Sequence, residues 1–430
     1  MSTNHPTNTA APAPPPPVDP PRRRVLADLT PLRSSADYRR IWFGQSVSSI
    51  GQQMTAVAVA VQVYALTKSA FATGLVGLFS LFPLVGFGLY GGAVADRVDR
   101  RRLGLIGSAG LAAASALLAL QALLGLHQVG ILYAAVALQG GFFALSSPAR
   151  SSMIPRLLPP DQLPAANALN TMSLNLGMTV GPMLGGLLIG AYGAQSAYLI
   201  DTAAFAAVLY AMWRLPSMRP LGTPGTRATV LDGLRFLREQ PNLRTSFLAD
   251  LAAMIFGLPR SLFPALAATK YGGHAGTVGL LVAAPAIGAL AGALFSGWAG
   301  RIHRHGLAIL ASVASWGLSI AAFGLTLGHL WLGLLLLAVA GCSDTVSMVF
   351  RNTMLQVAAP DEMRGRLQGI FIVVVAGGPR LGDFESGTVA ALTNPTLSVI
   401  TGGLACVACI LLLAARRPAF LRYDSRHPTP

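Results

Sequence analysis

Charge is scarce in this chain, and negative charge scarcest: 16 aspartates and glutamates stand against 31 lysines and arginines in 430 residues. Charged residues make up 11% of it, against roughly 25% in a soluble globular protein, which excludes a water-solvated body of this size. The three cysteines, Cys342, Cys406 and Cys409, all fall in apolar runs. Their odd number gives no disulfide framework, and the Cys406 and Cys409 pair lacks two further ligands for zinc. No histidine sits clearly inside an apolar run, so a histidine proton relay is not expected. No Gly-x-x-x-x-Gly-Lys-Ser/Thr loop occurs, so energy should come from an ion gradient and not from ATP. No nucleophile–base pair or metal cluster is evident, and we expect no enzyme activity, cofactor or metal. No apolar segment follows a basic start, so a cleavable signal peptide is not expected.

What the chain has is apolar sequence: 53% hydrophobic residues and a mean hydropathy of +0.58. Runs of roughly 20 apolar residues, enough to cross about 30 Å of hydrocarbon, recur throughout. They fall near 40–66, 71–95, 103–125, 129–152, 165–191, 196–215, 245–269, 276–300, 307–327, 330–355, 367–392 and 396–415. In lipid such segments must be helices, because no water is present to satisfy their backbone. The expectation is an all-α integral membrane protein with twelve transmembrane helices.

The net charge of +15 would suit nucleic acid if the arginines were clustered, but they alternate with the spans. Arg39-Arg40, Arg97 to Arg102, Arg156, Arg214 to Arg244, Arg301 and Arg304, Arg364 and Arg366, and Arg416-Arg417 all fall on one side. Positive charge marks the cytoplasmic face, so both termini are expected there, in the inner membrane. Residues 1–35 read as a disordered cytoplasmic tail rich in proline. Bundles are expected over 36–215 and 245–415, joined by a cytoplasmic linker at 216–244, with a second tail at 416–430. Within the linker Val230, Leu234 and Leu237 share a helix face that Arg235 and Arg238 avoid, as in an interfacial amphipathic helix.

The two halves repeat. A shift of 201 lays Arg150-Ser-Ser-Met153 on Arg351-Asn-Thr-Met354, Pro159 on Pro360 and Gly177 on Gly378. Two motifs stand out in the first half. One is the loop Gly92-Ala-Val-Ala-Asp96-Arg97-Val-Asp99-Arg100-Arg101-Arg102, in which an acid and several arginines separate two spans. The other is Gly177-Met-Thr-Val-Gly181-Pro182-Met-Leu-Gly185-Gly186, whose glycines four apart let another helix reach bare backbone.

Both motifs resemble those of the major facilitator superfamily. The loop is similar to its signature loop at Gly92, Asp96, Arg97, Arg100 and Arg101, with Asp99 where the family more often has glycine. The glycine and proline motif is similar to one that the family associates with exporters. Pro264-Ala-Leu-Ala, Gly279 to Gly292, and Thr353-Met-Leu-Gln356 followed by Pro360-Asp-Glu-Met-Arg-Gly365-Arg366 resemble the branch holding enterobactin exporters and macrolide efflux proteins. The resemblance implies two pseudo-symmetric six-helix bundles and export of an amphipathic small molecule (drug, siderophore or secondary metabolite) by alternating access. It further implies a switch loop in which Asp96 holds the cytoplasmic ends together, with Arg366 as the facing charge. Gln139-Gly140 matches a proton-coupling element, but Val136 replaces its arginine. An uptake or lipid-moving carrier of the same fold, or a membrane sensor or scaffold, remains the alternative.

Ionisable residues in hydrocarbon cost about 2.5 to 3.5 kcal/mol on insertion scales and so attract functional readings. Asp344 and Asp383 are the candidates for proton coupling, with Arg380 three residues from Asp383 and able to pair with it. Asp201 and Asp250 lie nearer helix ends, where capping or snorkelling accounts for them. Gln45, Gln52, Gln139, Asn170, Asn175, Phe256 and Arg260 could line a substrate cavity. The expected partners are therefore a small molecule, the lipid bilayer and protons, with the chain as a monomer and no nucleic acid.

Overall fold

The computed structural model describes residues 28–95, 98–218, 230–294, 302–358 and 361–424, with only the backbone described over 89–95, 230–234, 356–358 and 361–373. Among the described residues every regular element is helical. The helices of the first half are α1 Thr30–Ser34, α2 Ala36–Thr67, α3 Ala70–Ala95, α4 Arg100–Leu123, α5 Val129–Leu157, α6 Leu163–Tyr192 and α7 Ala194–Trp213. Then follow α8 Val230–Glu239, α9 Pro241–Phe256, α10 Phe263–Lys270, α11 Ala275–Leu294, α12 His305–Leu325, α13 Leu330–Ala358, α14 Asp361–Leu392, α15 Pro395–Arg416 and α16 Pro418–Leu421.

Side chains define where several helices begin. The Ser35 hydroxyl accepts the Tyr38 amide at 3.2 Å to open α2. Asn394 accepts the Leu397 amide at 2.9 Å to open α15, with Pro395 at its first position. By length and apolar composition, ten described segments can cross a membrane. The two expected spans outside that set are α2 and α14, each of 32 residues. Glutamines and serines dilute the apolar surface of α2, and Arg380, Asp383 and Glu385 that of α14.

One expected span is broken. The run at 245–269 is α9, then Gly257-Leu258-Pro259 and a single 3-10 turn at Arg260–Leu262, then α10. Proline and glycine together cannot continue the helical ladder. Trp316 of α12, 4% exposed, caps the buried end of α9 by donating its indole N–H to the Gly257 carbonyl at 2.8 Å.

Helix pairings in the first half recur in the second. In the first, α3 packs on α5, α4 on α5 and α7, and α2 on α6 and α7. In the second, α11 packs on α13, α12 on α13 and α15, and α9 on α14 and α15. The halves meet where α3 packs on α14 and α6 on α11. Glycines bring both pairs of helices into close contact at the bundle end away from the arginine-rich segments, which closes that end. There a Cβ on Gly74 would lie 3.1 Å from the Gly387 Cα, and one on Gly186 would lie 3.0 Å from the Gly279 Cα.

Candidate functional site

The interior of the second half holds a buried charge network on α9 and α13. Arg351, 4% exposed, forms an ion pair with Asp250, 1% exposed, and reaches Asp344 at 3.3 Å. Asp250 is thus an interior residue of α9 and not a helix-end acid. One guanidinium serves two carboxylates of unequal surroundings, since Asp344 is 25% exposed. A group sealed with its counter-ion cannot exchange a proton readily, whereas one at the edge of the network can. Composition does not single out Arg351; its signal in the sequence is its place on Arg150 in the repeat.

Among the described residues Asp383 and Arg380 form no ion pair or hydrogen bond with each other, but each acts on the other with its charge. Arg380 Nε donates to the Ser80 hydroxyl of α3 at 2.8 Å, a link between the halves. Its Nη1 donates to the Ala376 carbonyl. Asp383 accepts the Ser261 amide at 3.1 Å, and the Ser261 hydroxyl donates to the Asp383 carbonyl at 3.0 Å. Ser261 lies in the turn that leads into α10, so Asp383 places its carboxylate at that helix's positive end. Arg260, exposed in the same turn, acts with its charge on both Asp344 and Asp383. Arg380 and Asp383 thus act on each other through charge alone, while Asp383 anchors the broken helix and Asp344 is partly exposed.

In the first half Asp201 is fully buried on α7, which corrects its expected place near a helix end. Its Oδ2 accepts the hydroxyls of Thr55 at 3.0 Å and Ser115 at 2.7 Å. Gln139 donates to the Ser115 hydroxyl at 3.1 Å. Gln52 turns back on its own helix, donating to Ser48. Gln45, Asn170, Asn175 and Phe256 are half-buried. They sit on α2, α6 and α9, and no side-chain bond brings them to one point.

The glycine and proline motif on α6 serves two partners on two faces. Gly177 lies against Ser49, Gly181 would put a Cβ 2.6 Å from that of Gln53, and Gly185 would put one 3.0 Å from the Met54 Cα, all on α2. Gly186 faces α11 instead, and the Pro182 carbonyl abuts Gly279 there. The motif thus fixes α6 within its half and lets it close on the other half.

With this geometry in hand, residues 26–426 match the profile of the transmembrane secretion effector family. The chain belongs to that family of major facilitator transporters. It is 30% identical over 415 residues to the enterobactin exporter EntS of Citrobacter koseri, spanning 95% of this chain and 98% of the relative. It is 31% identical over 396 residues to that of Shigella boydii, spanning 90% and 94%. The nucleoside transporter NupG superposes with a TM-score of 0.71 at 14% identity, covering 90% of this chain and all of the other. A peptide transporter POT in complex with sulfate superposes with a TM-score of 0.71 at 16% identity, covering 91% and 96%. These structures share the fold. The chain is a multi-pass membrane transporter of small molecules and not an enzyme.

In this secretion effector the described part of the signature loop is tied within its own half. Gly92 lies in α3 and Arg366 in α14; Asp96 and Arg97, and with them the expected Asp96–Arg366 contact, lie outside the described residues. Arg100 donates to the Ser152 carbonyl at 3.1 Å, and Arg101 to the Met212 carbonyl at 3.3 Å and to that of Trp213. Asp99, the departure from the family pattern, opens α4 by accepting the Arg101 amide at 2.8 Å and also binds the Ser217 hydroxyl and the Met218 amide. Burial pushes its carboxyl upward, but these bonds from Ser217, Met218, Arg102 and Arg101 outweigh that and hold it below the usual aspartate range. Its contribution to stability is therefore present above about pH 4 and lost as the pH falls below that. Asp99→Ala should cost about 1 kcal/mol, as cap removal does. The check is thermal unfolding in detergent, where the difference from wild type should vanish in acid.

Proposed function

We propose that this transporter exports a siderophore-like small molecule by alternating access, in exchange for protons, as a monomer with both termini in the cytoplasm. Near full-length likeness to the enterobactin exporters carries the substrate reading. In this reading 36–215 and 245–415 are six-helix bundles, with α2 and α14 completing twelve spans, and 216–244 is the linker between them. Gln45, Gln52, Gln139, Asn170, Asn175, Phe256 and Arg260 line the path between the bundles.

The shared Arg351 supports coupling through Asp344. With Asp344 ionised, the Asp250–Arg351–Asp344 network carries one excess negative charge. A proton on Asp344 leaves a neutral Arg351–Asp250 pair between α13 and α9 and releases the arm of Arg351 that had served Asp344 on its own helix. Arg260 at the break between α9 and α10 feels that change, which passes it to the broken helix. Asp383, held by Ser261, keeps that helix in place. Proteoliposomes loaded with enterobactin test the proposal: an imposed proton gradient should drive its movement, and Asp344→Asn should remove the pH dependence while binding persists. Gradient-driven flux that is unaltered in both Asp344→Asn and Asp383→Asn would exclude these acids as the coupling site. No enterobactin movement in the wild type would reject the substrate.

A further inference from the structure

The geometry points to Asp201 as a second, exchangeable proton site, sealed in the first half and reached through a polar column from the end of the bundle away from the arginines. The site stands apart from the charge network of the second half. Both hydroxyl donors to Asp201, Thr55 and Ser115, bind the same oxygen, Oδ2. The other, Oδ1, is buried without a hydrogen-bond partner and abuts Gly51, where a Cβ would lie 2.7 Å from it. An ionised carboxylate needs donors on both oxygens or a cation beside it, and burying one without them is costly.

No cation is at hand among the described residues. Around Asp201, α2 presents Gly51 and Thr55, α4 presents Ser115, and α5 reaches it through Gln139. On these helices the charged residues next along the chain are Arg40 and Lys68 from Thr55, Arg102 from Ser115, and Arg150 from Gln139. Each lies roughly 16 to 22 Å away along its helix axis. The neighbouring phenols are engaged: Tyr198 donates to the Gln62 Oε1 at 2.8 Å and Tyr133 to the Ala72 carbonyl at 2.8 Å. The site therefore holds its acid uncharged at rest and discharges it only when a proton can leave.

A route is built into α2, α4 and α7. A cavity of about 220 Å³ at the bundle end opposite the arginines is lined by Gln62 and Gln121. Their amides bond each other at 3.0 and 3.3 Å, and Tyr198 joins them. From this layer to the Thr55, Ser115 and Asp201 layer is three residues on α7, six on α4 and seven on α2, or roughly 5 to 10 Å. On its far side Ser115 passes to half-buried Gln139. A buried acid thus lies between a cavity and a side chain on the proposed substrate path.

Infrared titration of the full chain in proteoliposomes tests this without any substrate, so its outcome is independent of what is exported. The probe is the proton: spectra are taken in deuterium and ordinary water across about pH 5 to 9. The wild type should show a carboxylic C=O stretch that responds to pH, and the wild-type minus Asp201→Asn difference should contain it. Ser115→Ala, which keeps the acid but removes one donor, should move its midpoint. The inference is overturned if the Asp201→Asn spectra match the wild type throughout, or if the Asp201 band never responds to pH. Should Asp201→Asn fail to fold, an unmoved midpoint in Ser115→Ala overturns it equally.

Discussion

Arg351→Met should leave little folded protein in the membrane, the largest loss of stability expected from any single change in this chain. The substitution keeps most of the side-chain volume but strips the cation from Asp250, which is 1% exposed, and from Asp344. Removing one partner of a buried ion pair costs about 3 to 5 kcal/mol because the other charge stays behind, and total stabilities are of the order of 5 to 15 kcal/mol. The same reasoning makes the loss reversible. Adding Asp250→Asn to Arg351→Met removes the stranded charge, and the double variant should recover most of the yield. Arg351→Lys should fall between, since an ammonium reaches one carboxylate well but lacks the fork that serves two. Detergent-extracted yield and thermal unfolding on size exclusion read all three. An Arg351→Met variant as abundant and as heat-stable as wild type would mean that the network contributes nothing to the fold.

That network was half legible. Asp344 stands out in an apolar run by composition, and so do Asp250 and Asp201, but hydropathy says how deep a residue lies and not which face it occupies. Arg351 and Asp250 are 101 positions apart, and their meeting depends on how α9 packs beside α13. Position along a run misled the assignment of Asp201 and Asp250 to helix ends, because both face the packed core. The break after Phe256 is written as Gly257-Leu258-Pro259, yet the apolar run continues through it and reads as one span. Asp99 stands in the sequence only as a departure from the loop pattern, whereas an aspartate before Arg100 is a good helix cap. The glycine spacing on α6 marks a close-packing surface, because bare backbone has few other uses in a membrane helix, but it does not say that its two faces meet α2 and α11.

That spacing leads to the second large effect, a contrast between neighbouring glycines. Gly185 and Gly186 are one residue apart and so point roughly 100° apart on the helix, the first at α2 of its own half and the second at α11 of the other. A leucine at 185 should press on the Met54 backbone inside a permanent contact and cost about 1 to 3 kcal/mol of stability. A leucine at 186 meets the Ala275 carbonyl at 2.8 Å and the Gly276 Cα at 3.1 Å, backbone that cannot yield. The halves can part there without unfolding, so Gly186→Leu should keep its yield and heat stability while enterobactin transport in proteoliposomes is abolished. The protein should then be held open at the end away from the arginines. A cysteine placed at Gly276, where a Cβ has open space, reports this through a membrane-impermeant thiol reagent: labelling from outside should rise well above that of the same cysteine in an otherwise wild-type chain. If Gly186→Leu transports normally, or if it stops transport with labelling unchanged, the α6 and α11 crossing is a fixed seam and the closed end must be opened elsewhere, at the Gly74 and Gly387 approach of α3 to α14.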